Sequence, residues 1–182
     1  MEEINDQIEQ RIKKLDELKA MGVEPFGGVF DAKDHAAELL NKYEAHTKET
    51  LESSPALCVI AGRIVAMRDF GKAAFAHIQD STGRIQVYLR KDVLNEKYAV
   101  VKKFDIGDII GVSGKLFRTR TNELTVEVVD FQFLTKSLRP LPEKWHGLKD
   151  IEMRYRQRYV DLIVNPEVKE VFKKRSAIIK AV

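Results

Sequence analysis

Residues 61–89 read AGRIVAMRDFGKAAFAHIQDSTGRIQVYL, and this stretch decides the fold. Apolar and polar residues alternate along residues 73–79 and again along residues 84–90, as they do in strands with one buried face. The residues between them, 80–83 (DSTG), have the composition of a tight turn. The stretch therefore predicts three short strands, with this turn joining the second strand to the third.

The polar face of these predicted strands carries aromatic side chains. Phe75 has the same parity as His77, and Tyr88 has the same parity as Gln86 and Arg90. An aromatic ring beside positive charge and amide groups is the arrangement with which proteins stack on and read an unpaired base. This face is therefore a candidate surface for binding single-stranded nucleic acid.

The distribution of proline marks a larger sheet around this stretch. No proline lies between Pro55 and Pro140, as expected of a continuous sheet, because proline removes a ladder hydrogen bond. Within this window the pattern predicts a helix over residues 93–104 and five strands, at residues 57–68, 73–79, 84–90, 108–118 and 123–134. Three strands, a helix and two strands are the order of an OB-fold, a five-stranded Greek-key barrel. The predicted fold class is mainly β, with a helical N-terminal extension.

The flanking regions have a different character. Residues 1–54 predict a helical extension: a first helix capped by Asn5 or Asp6, a second helix beginning at Asp31, and a loop over residues 47–55. Residues 55–135 form the predicted barrel domain. Residues 136–182 predict a linker and further helices, and the last of these still continues at Val182. We therefore expect the chain to be part of a longer protein.

Composition narrows the class of protein. The chain has 182 residues, of which 44% are hydrophobic and 32% charged, with a net charge of +3. This profile is typical of a soluble protein, and nucleic acid is a plausible partner only if the basic residues cluster. No signal peptide or membrane span is predicted. The single cysteine, Cys58, suits a reducing cytoplasm, and no His/Cys set has the spacing of a metal site.

Three strings give the chain a specific resemblance. They are residues 71–75 (GKAAF), 137–148 (SLRPLPEKWHGL) and 153–162 (MRYRQRYVDL). In this order and spacing, they resemble strings in the N-terminal part of bacterial-type class II lysyl-tRNA synthetases. The resemblance extends over essentially the whole chain. The resemblance implies an OB-fold that binds the anticodon of lysine tRNA.

The same resemblance implies that a larger C-terminal domain makes lysyl-adenylate from lysine, ATP and Mg²⁺. The second and third class II motifs have no counterpart in these 182 residues. We therefore expect no catalysis and no cofactor for this chain, and a class II lysine–tRNA ligase for the parent protein. The parent is expected to be a homodimer, and this chain alone a monomer or a weak dimer.

The resemblance also assigns site residues. The positions of Phe75, Gln86 and Glu123 match those that stack on and read the central anticodon base, and Arg68 matches an arginine at the anticodon. A carboxylate only accepts hydrogen bonds, so it favours the N3–H of uridine over the bare N3 of cytosine. Parity makes these assignments possible, because Glu123 can point to the same face as Gln86.

Several alternatives stay open from the sequence. Glu123 could pair with Arg118 or Arg120, and Arg68 could pair with Asp69. The predicted contacts with the tRNA backbone are less specific, and they involve Lys115, Arg118, Arg120 and His77. A general single-strand-binding OB module is the alternative function; it would tolerate any base and would depend strongly on salt.

Overall fold

A computed structural model describes residues 2–142, 148 and 150–181 of the chain. It divides into two compact units, Met1–Pro140 and Leu141–Val182. The first unit holds all five described strands, and the second is helical.

The first unit is built on a closed five-stranded barrel. Its strands are β1 (Leu57–Asp69), β2 (Ala73–Gln79), β3 (Arg84–Arg90), β4 (Ile109–Arg118) and β5 (Leu124–Thr135). They lie in the order β1-β2-β3-β5-β4, and β4 pairs with β1 to close the barrel. The β3–β5 pair is parallel and the others are antiparallel. The predicted five-stranded Greek-key barrel is confirmed, and the bounds of β2 and β3 are those that alternation predicts.

The barrel interior is filled by the apolar parity of each strand. Along β3, Ile85, Val87 and Leu89 are buried, while the residues between them are partly exposed. The same alternation buries Ala74, Ala76 and Ile78 along β2. The opposite parity, which includes Phe75 and Gln86, therefore faces outward, as predicted.

A glycine lets β4 and β5 approach each other closely. The pairing of these strands shifts register between Ser113 and Gly114. A Cβ atom at Gly114 would lie 2.2 Å from the carbonyl oxygen of Glu127, a distance that no side chain tolerates. Only glycine fits at this bulge, which bends the barrel wall as small barrels require.

The N-terminal helix α1 (Glu2–Ala20) packs on the barrel through its apolar side, where Leu15 and Leu18 are buried. It ends at Ala20, and the chain then turns at Gly22, whose φ of +75° is accessible to glycine without strain. The predicted caps, Asn5 and Asp6, are wrong because the helix begins before them, at Glu2.

The second predicted helix begins later than expected. Helix α2 spans Ala36–Lys42, not a segment from Asp31. The carboxylate of Asp34 accepts a hydrogen bond from the backbone N–H of Val59 (2.8 Å), so it ties the chain to β1 instead of starting a helix. The Oδ2 atom of Asp80 accepts from the N–H of Ala36 (2.8 Å), which fixes the start of α2 on the β2–β3 turn.

Two further helical predictions need correction. The predicted loop over residues 47–55 is wrong, because α3 (Lys48–Ser53) forms there with Thr47 as its N-cap. The predicted helix over 93–104 is instead α4 (Lys91–Leu94), a 3₁₀ turn (Asn95–Lys97) and α5 (Tyr98–Val101). The interruption coincides with Asn95, whose φ is +50°. Asparagine tolerates this left-handed conformation, and an α-helix cannot continue through it.

A buried ionic cluster joins the end of β5 to the turn before β4. The ammonium group of Lys136 has no exposed surface; it donates to Asp105 (2.6 Å) and to Asp108 (2.8 Å). Lys14 of α1 adds a second ion pair to Asp105 (2.6 Å). Burial raises the pKa of Asp108. At Asp105 the hydrogen bonds from Lys136 and Lys14 outweigh burial and lower the pKa.

The second unit contains α6 (Ile151–Arg156), α7 (Arg158–Val164) and α8 (Pro166–Ala181). Asp150 caps α6 by accepting from the N–H of Met153 (2.7 Å). The carboxylate of Asp161 is fully buried and pairs with Arg154 (3.0 Å) and with Arg158. Residues 143–147 of the predicted linker lie outside the described residues. Nowhere in the described part of the chain is a helix long and apolar enough to cross a membrane.

Candidate nucleic-acid interface

Four aromatic side chains form an aromatic row on the outside of the barrel. They are Phe70, Phe75, Tyr88 and Phe117. Phe75 lies directly opposite Tyr88 in the β2–β3 pairing, and the two rings stack with centroids 4.3 Å apart and planes at 19°. Phe70 meets Phe75 edge-on at 6.3 Å, and Phe117 is 6.0 Å from Tyr88. Aromatic rings held on an outer face in this way are a platform on which bases stack.

A chain of polar side chains lies beside the aromatic row. His77, Gln86, Glu123 and Thr125 make up this polar array. The amide nitrogen of Gln86 donates to Oε2 of Glu123 (2.9 Å), and Oε1 of Glu123 is 2.9 Å from Nε2 of His77. The hydroxyl of Thr125 donates to Oε1 of Gln86 (2.8 Å). Gln86 and Glu123 are therefore brought together on the same face, as their parity allowed.

Barrel closure is what assembles the polar array. His77 is opposite Gln86 across β2–β3, and Gln86 is opposite Thr125 in the parallel β3–β5 pair. Glu123 immediately precedes β5, and its carboxylate reaches Gln86 of the neighbouring β3 and His77 of β2 beyond it. The alternative that Glu123 pairs with Arg118 or Arg120 is wrong, because its carboxylate is taken by His77 and Gln86 instead.

The polar array keeps hydrogen-bonding capacity toward solvent. The Glu123 side chain is 45% exposed, and each of its oxygens uses only one of its lone pairs within the array. The amide nitrogen of Gln86 has a second N–H that makes no contact among the described residues. The site therefore presents one donor beside carboxylate acceptors, next to an aromatic platform.

Three exposed cations surround the aromatic row and the polar array. Arg68 lies opposite Phe75 across β1–β2. It does not pair with Asp69, whose carboxylate accepts from the N–H of Gly71 (2.7 Å). Lys115 and Arg120 are also exposed. None of the three cations has an ion pair within the described ranges, so each is available to a phosphate or a carbonyl group.

Arg118 has a structural position. Its guanidinium group donates four hydrogen bonds to main-chain carbonyls: to Tyr43, Glu44 and His46 in the segment after α2, and to Asn122. These bonds tie the N-terminal extension to the β4–β5 hairpin. The group's donors are directed at the protein itself, so the geometry supports an anchoring role and gives no support to a contact with the tRNA backbone.

Nothing in the described residues resembles a metal centre or a reactive thiol. No group of three or more His, Cys, Asp or Glu side chains is placed to hold a metal in the described part of the sequence. Cys58 is buried in the barrel, and burial raises the pKa of its thiol to about 12. The thiolate needed for nucleophilic chemistry is therefore absent at neutral pH.

Sequence reasoning missed two features of the site. It did not anticipate the face-to-face stack of Phe75 on Tyr88, although the two parities allowed it. It also assigned no role to Thr125, which is fully buried and contacts Gln86. The β3–β5 register would have revealed the second feature, and that register follows only from barrel closure.

Comparison with known proteins agrees with this geometry. The sequence model of the family described as "OB-fold nucleic acid binding domain" (tRNA anti-codon) matches residues 58–134. The chain is 54% identical to a lysine–tRNA ligase of Halalkalibacterium halodurans over 98% of its length. It is 52% identical to that of Carboxydothermus hydrogenoformans over 100%, and 50% identical to that of Bacillus subtilis over 99%.

The chain covers 36% of the length of each of these relatives. The similarity thus extends over the whole of this chain and over about a third of each relative, which is consistent with an N-terminal portion of such a protein. The barrel of residues 58–134 belongs to the anticodon-binding OB-fold family, within a chain that is homologous throughout to lysine–tRNA ligases.

Proposed function

We propose that the outer face of β2, β3 and β5 binds the anticodon loop of lysine tRNA. Phe75 stacks on the central base, and Gln86 and Glu123 read its pairing edge. The observation that carries this proposal is the position of the polar array directly beside the stacked Phe75–Tyr88 pair, on a barrel of the anticodon-binding family. Stacking supplies affinity for any base, and the array supplies the choice between bases.

Uridine fits the free groups of the polar array. Its O4 accepts a hydrogen bond and its N3–H donates one. The second amide N–H of Gln86 matches the O4 atom, and an oxygen of Glu123 matches the N3–H group. Cytosine in the same pose places an amino group against the amide and a bare N3 against the carboxylate. Both of these contacts are unfavourable, because they oppose donor to donor and acceptor to acceptor.

The exposed cations suit the charged backbone of the loop. Arg68 stands beside Phe75, so it can reach a base carbonyl or the phosphate of a stacked nucleotide. Lys115 and Arg120 lie at or near the β4–β5 hairpin, where a barrel loop can follow the RNA backbone. Binding by these groups weakens with salt, whereas the preference for uridine does not depend on them.

The test is a titration of the 182-residue chain with two hairpin RNAs, one with the anticodon UUU and one with UCU. We expect tighter binding of UUU and a loss of about tenfold or more in affinity in Phe75→Ala, from removal of base stacking. Phe26→Ala is the matched control, since Phe26 is 51% exposed and lies outside the aromatic row.

Equal binding of both hairpins, with a steep fall in added salt, would contradict this proposal. That result would instead support the alternative function, a general single-strand-binding OB module, which needs only the aromatic row and the cations. A loss of affinity in Phe26→Ala as large as that in Phe75→Ala would place the RNA elsewhere on the barrel.

For the longer protein, we propose the activity of a class II lysine–tRNA ligase. It would be a cytoplasmic homodimer that uses lysine, ATP and Mg²⁺ in a domain outside these residues. We assign no catalytic step to the residues of this chain. Lysine-dependent exchange of pyrophosphate into ATP should be measured on the full-length protein and on this chain. We expect activity of the full-length protein, and activity of this chain alone would refute the statement that it carries no catalytic step.

A further inference from the structure

We propose that His77 and Thr125 are positioning residues that hold Glu123 and Gln86 in the arrangement that selects uridine. This inference rests on the proposed function and adds to it two residues that act without touching the RNA. The observation that supports it is the polar array itself, which is a continuous series of hydrogen bonds: Thr125 to Gln86, Gln86 to Glu123, and Glu123 to His77.

The direction of each hydrogen bond follows from the carboxylate. A carboxylate accepts only, so Gln86 must turn its NH₂ group toward Glu123, and His77 must donate through Nε2. The carbonyl oxygen of Gln86 then faces Thr125, which must donate its hydroxyl proton to it. The three contacts are thus mutually consistent, and one orientation of the Gln86 amide satisfies all of them.

Burial makes the Thr125 end of the polar array rigid. Thr125 has no exposed surface and lies within β5, so its hydroxyl is held by the strand. The main-chain carbonyl of Glu123 is a second, longer partner of this hydroxyl, at 3.2 Å. Gln86, on the neighbouring strand, is therefore tied to a fixed point, whereas an unsupported glutamine would sample several rotamers.

His77 supports the other end of the polar array. Its side chain is 30% exposed, against 45% for Glu123, and it occupies one carboxylate oxygen from the β2 side. Since Glu123 immediately precedes β5, its side chain depends on this contact and on Gln86 for a fixed position. This geometry favours a positioning role for His77 over the predicted contact with the tRNA backbone, because the Nε2 atom of its ring is turned toward Glu123.

The consequence for recognition is a fixed order of donor and acceptor. At N3 and at the substituent on C4, uridine offers a donor and then an acceptor, whereas cytosine offers an acceptor and then a donor. A movable amide and carboxylate could adapt to either base. The preference for uridine therefore requires that both groups be held, and His77 and Thr125 are the residues that hold them.

The test compares the ratio of UUU to UCU affinity in variants of the 182-residue chain. Thr125→Val removes the hydroxyl with little change of shape, and His77→Leu removes the ring donor. We expect each to lower the ratio by about fivefold, the effect of one hydrogen bond. Thr125→Ser and His77→Gln keep a donor and are expected to restore the ratio. Thr135→Val, near the other end of β5, is the control for loss of a threonine hydroxyl.

A second readout needs no RNA. The side-chain amide protons of Gln86, identified in NMR spectra by their loss in Gln86→Ala, should shift in Thr125→Val and remain unchanged in Thr135→Val. An unchanged Gln86 signal, or a ratio that persists in both Thr125→Val and His77→Leu, would overturn the inference while leaving the proposed function intact. Equal affinity of the unaltered chain for UUU and UCU would overturn the proposed function, and this inference with it.

Discussion

Replacing Lys136 by methionine should be the most damaging single substitution in the buried ionic cluster. The Lys136 side chain is fully buried, and its ammonium group also donates to the carbonyl of Lys103 (3.2 Å). Its removal leaves Asp108, also fully buried, without an ion pair to any other cation of the described residues. Breaking a buried ion pair by removing one partner costs about 3–5 kcal/mol, because the remaining charge has lost its water and its partner.

The matched control is Lys14→Met, which removes another cation from the same cluster. Lys14 is 32% exposed, and its ion pair within the described residues is with Asp105, which keeps Lys136. We expect a loss below about 1 kcal/mol, as is usual for exposed pairs. The contrast between the two variants separates burial from the mere presence of an ion pair.

The assay is urea unfolding of the 182-residue chain, followed by circular dichroism at several pH values. The free energy of unfolding of Lys136→Met should recover toward that of the unaltered chain on acidification, because a protonated Asp108 is less costly to bury than an ionised one. A cost equal to that of Lys14→Met, or one that does not change with pH, would refute this reasoning.

Three further predictions concern other parts of the first unit. Hydrogen bonds from Ala36, Gly83 and Thr82 outweigh burial and lower the pKa of Asp80 below 3.8. The stability that the Asp80 carboxylate contributes is therefore complete above about pH 5 and is lost as the pH falls below about 4. Asp80→Asn should lower the free energy of unfolding by about 2 kcal/mol at pH 7 and should weaken its dependence on pH below about pH 5. Gly114→Ala should destabilise the chain by about 3 kcal/mol, because the added Cβ would collide with the backbone of Glu127. Gly71→Ala is the control: the φ of Gly71 is +81°, but an added Cβ would have no atom within 4 Å, so we expect a cost of about 1 kcal/mol. Equal costs of the two substitutions in chemical denaturation would contradict the predicted collision. Arg118→Lys should lower the free energy of unfolding by about 2 kcal/mol without changing the salt dependence of RNA binding. A weaker dependence of RNA affinity on salt in this variant would indicate that Arg118 contacts the RNA after all.

Alternation was sufficient to predict β2 and β3, because each has one apolar and one polar face. The bounds of β2 and β3 and the outward direction of Phe75 followed from period-two patterning alone. The short helices were harder to predict. Six-residue α3 has too few turns to show a period, and the break at Asn95 depends on one left-handed residue.

The candidate site was predictable only in part. The sequence indicated which side chains face outward, and the family resemblance indicated which of them to select. The partners of Glu123 and Arg118 were not predictable, because they depend on which strands meet when the barrel closes. Glu123 meets β2 and β3 side chains more than thirty residues away, and Arg118 meets a segment more than seventy residues away.

The parallel pairing of β3 with β5 involves only three residue pairs, from Gln86–Thr125 to Tyr88–Glu127. It is the shortest seam of the barrel, and the polar array lies across it. A local opening of this seam would separate Gln86 from Glu123 while the antiparallel pairs stayed intact. A ligand that bridges the two residues would oppose such an opening, so binding of the anticodon would slow hydrogen exchange along β3 and β5. Occupancy of the site and closure of the barrel would then be thermodynamically linked, because each would favour the other.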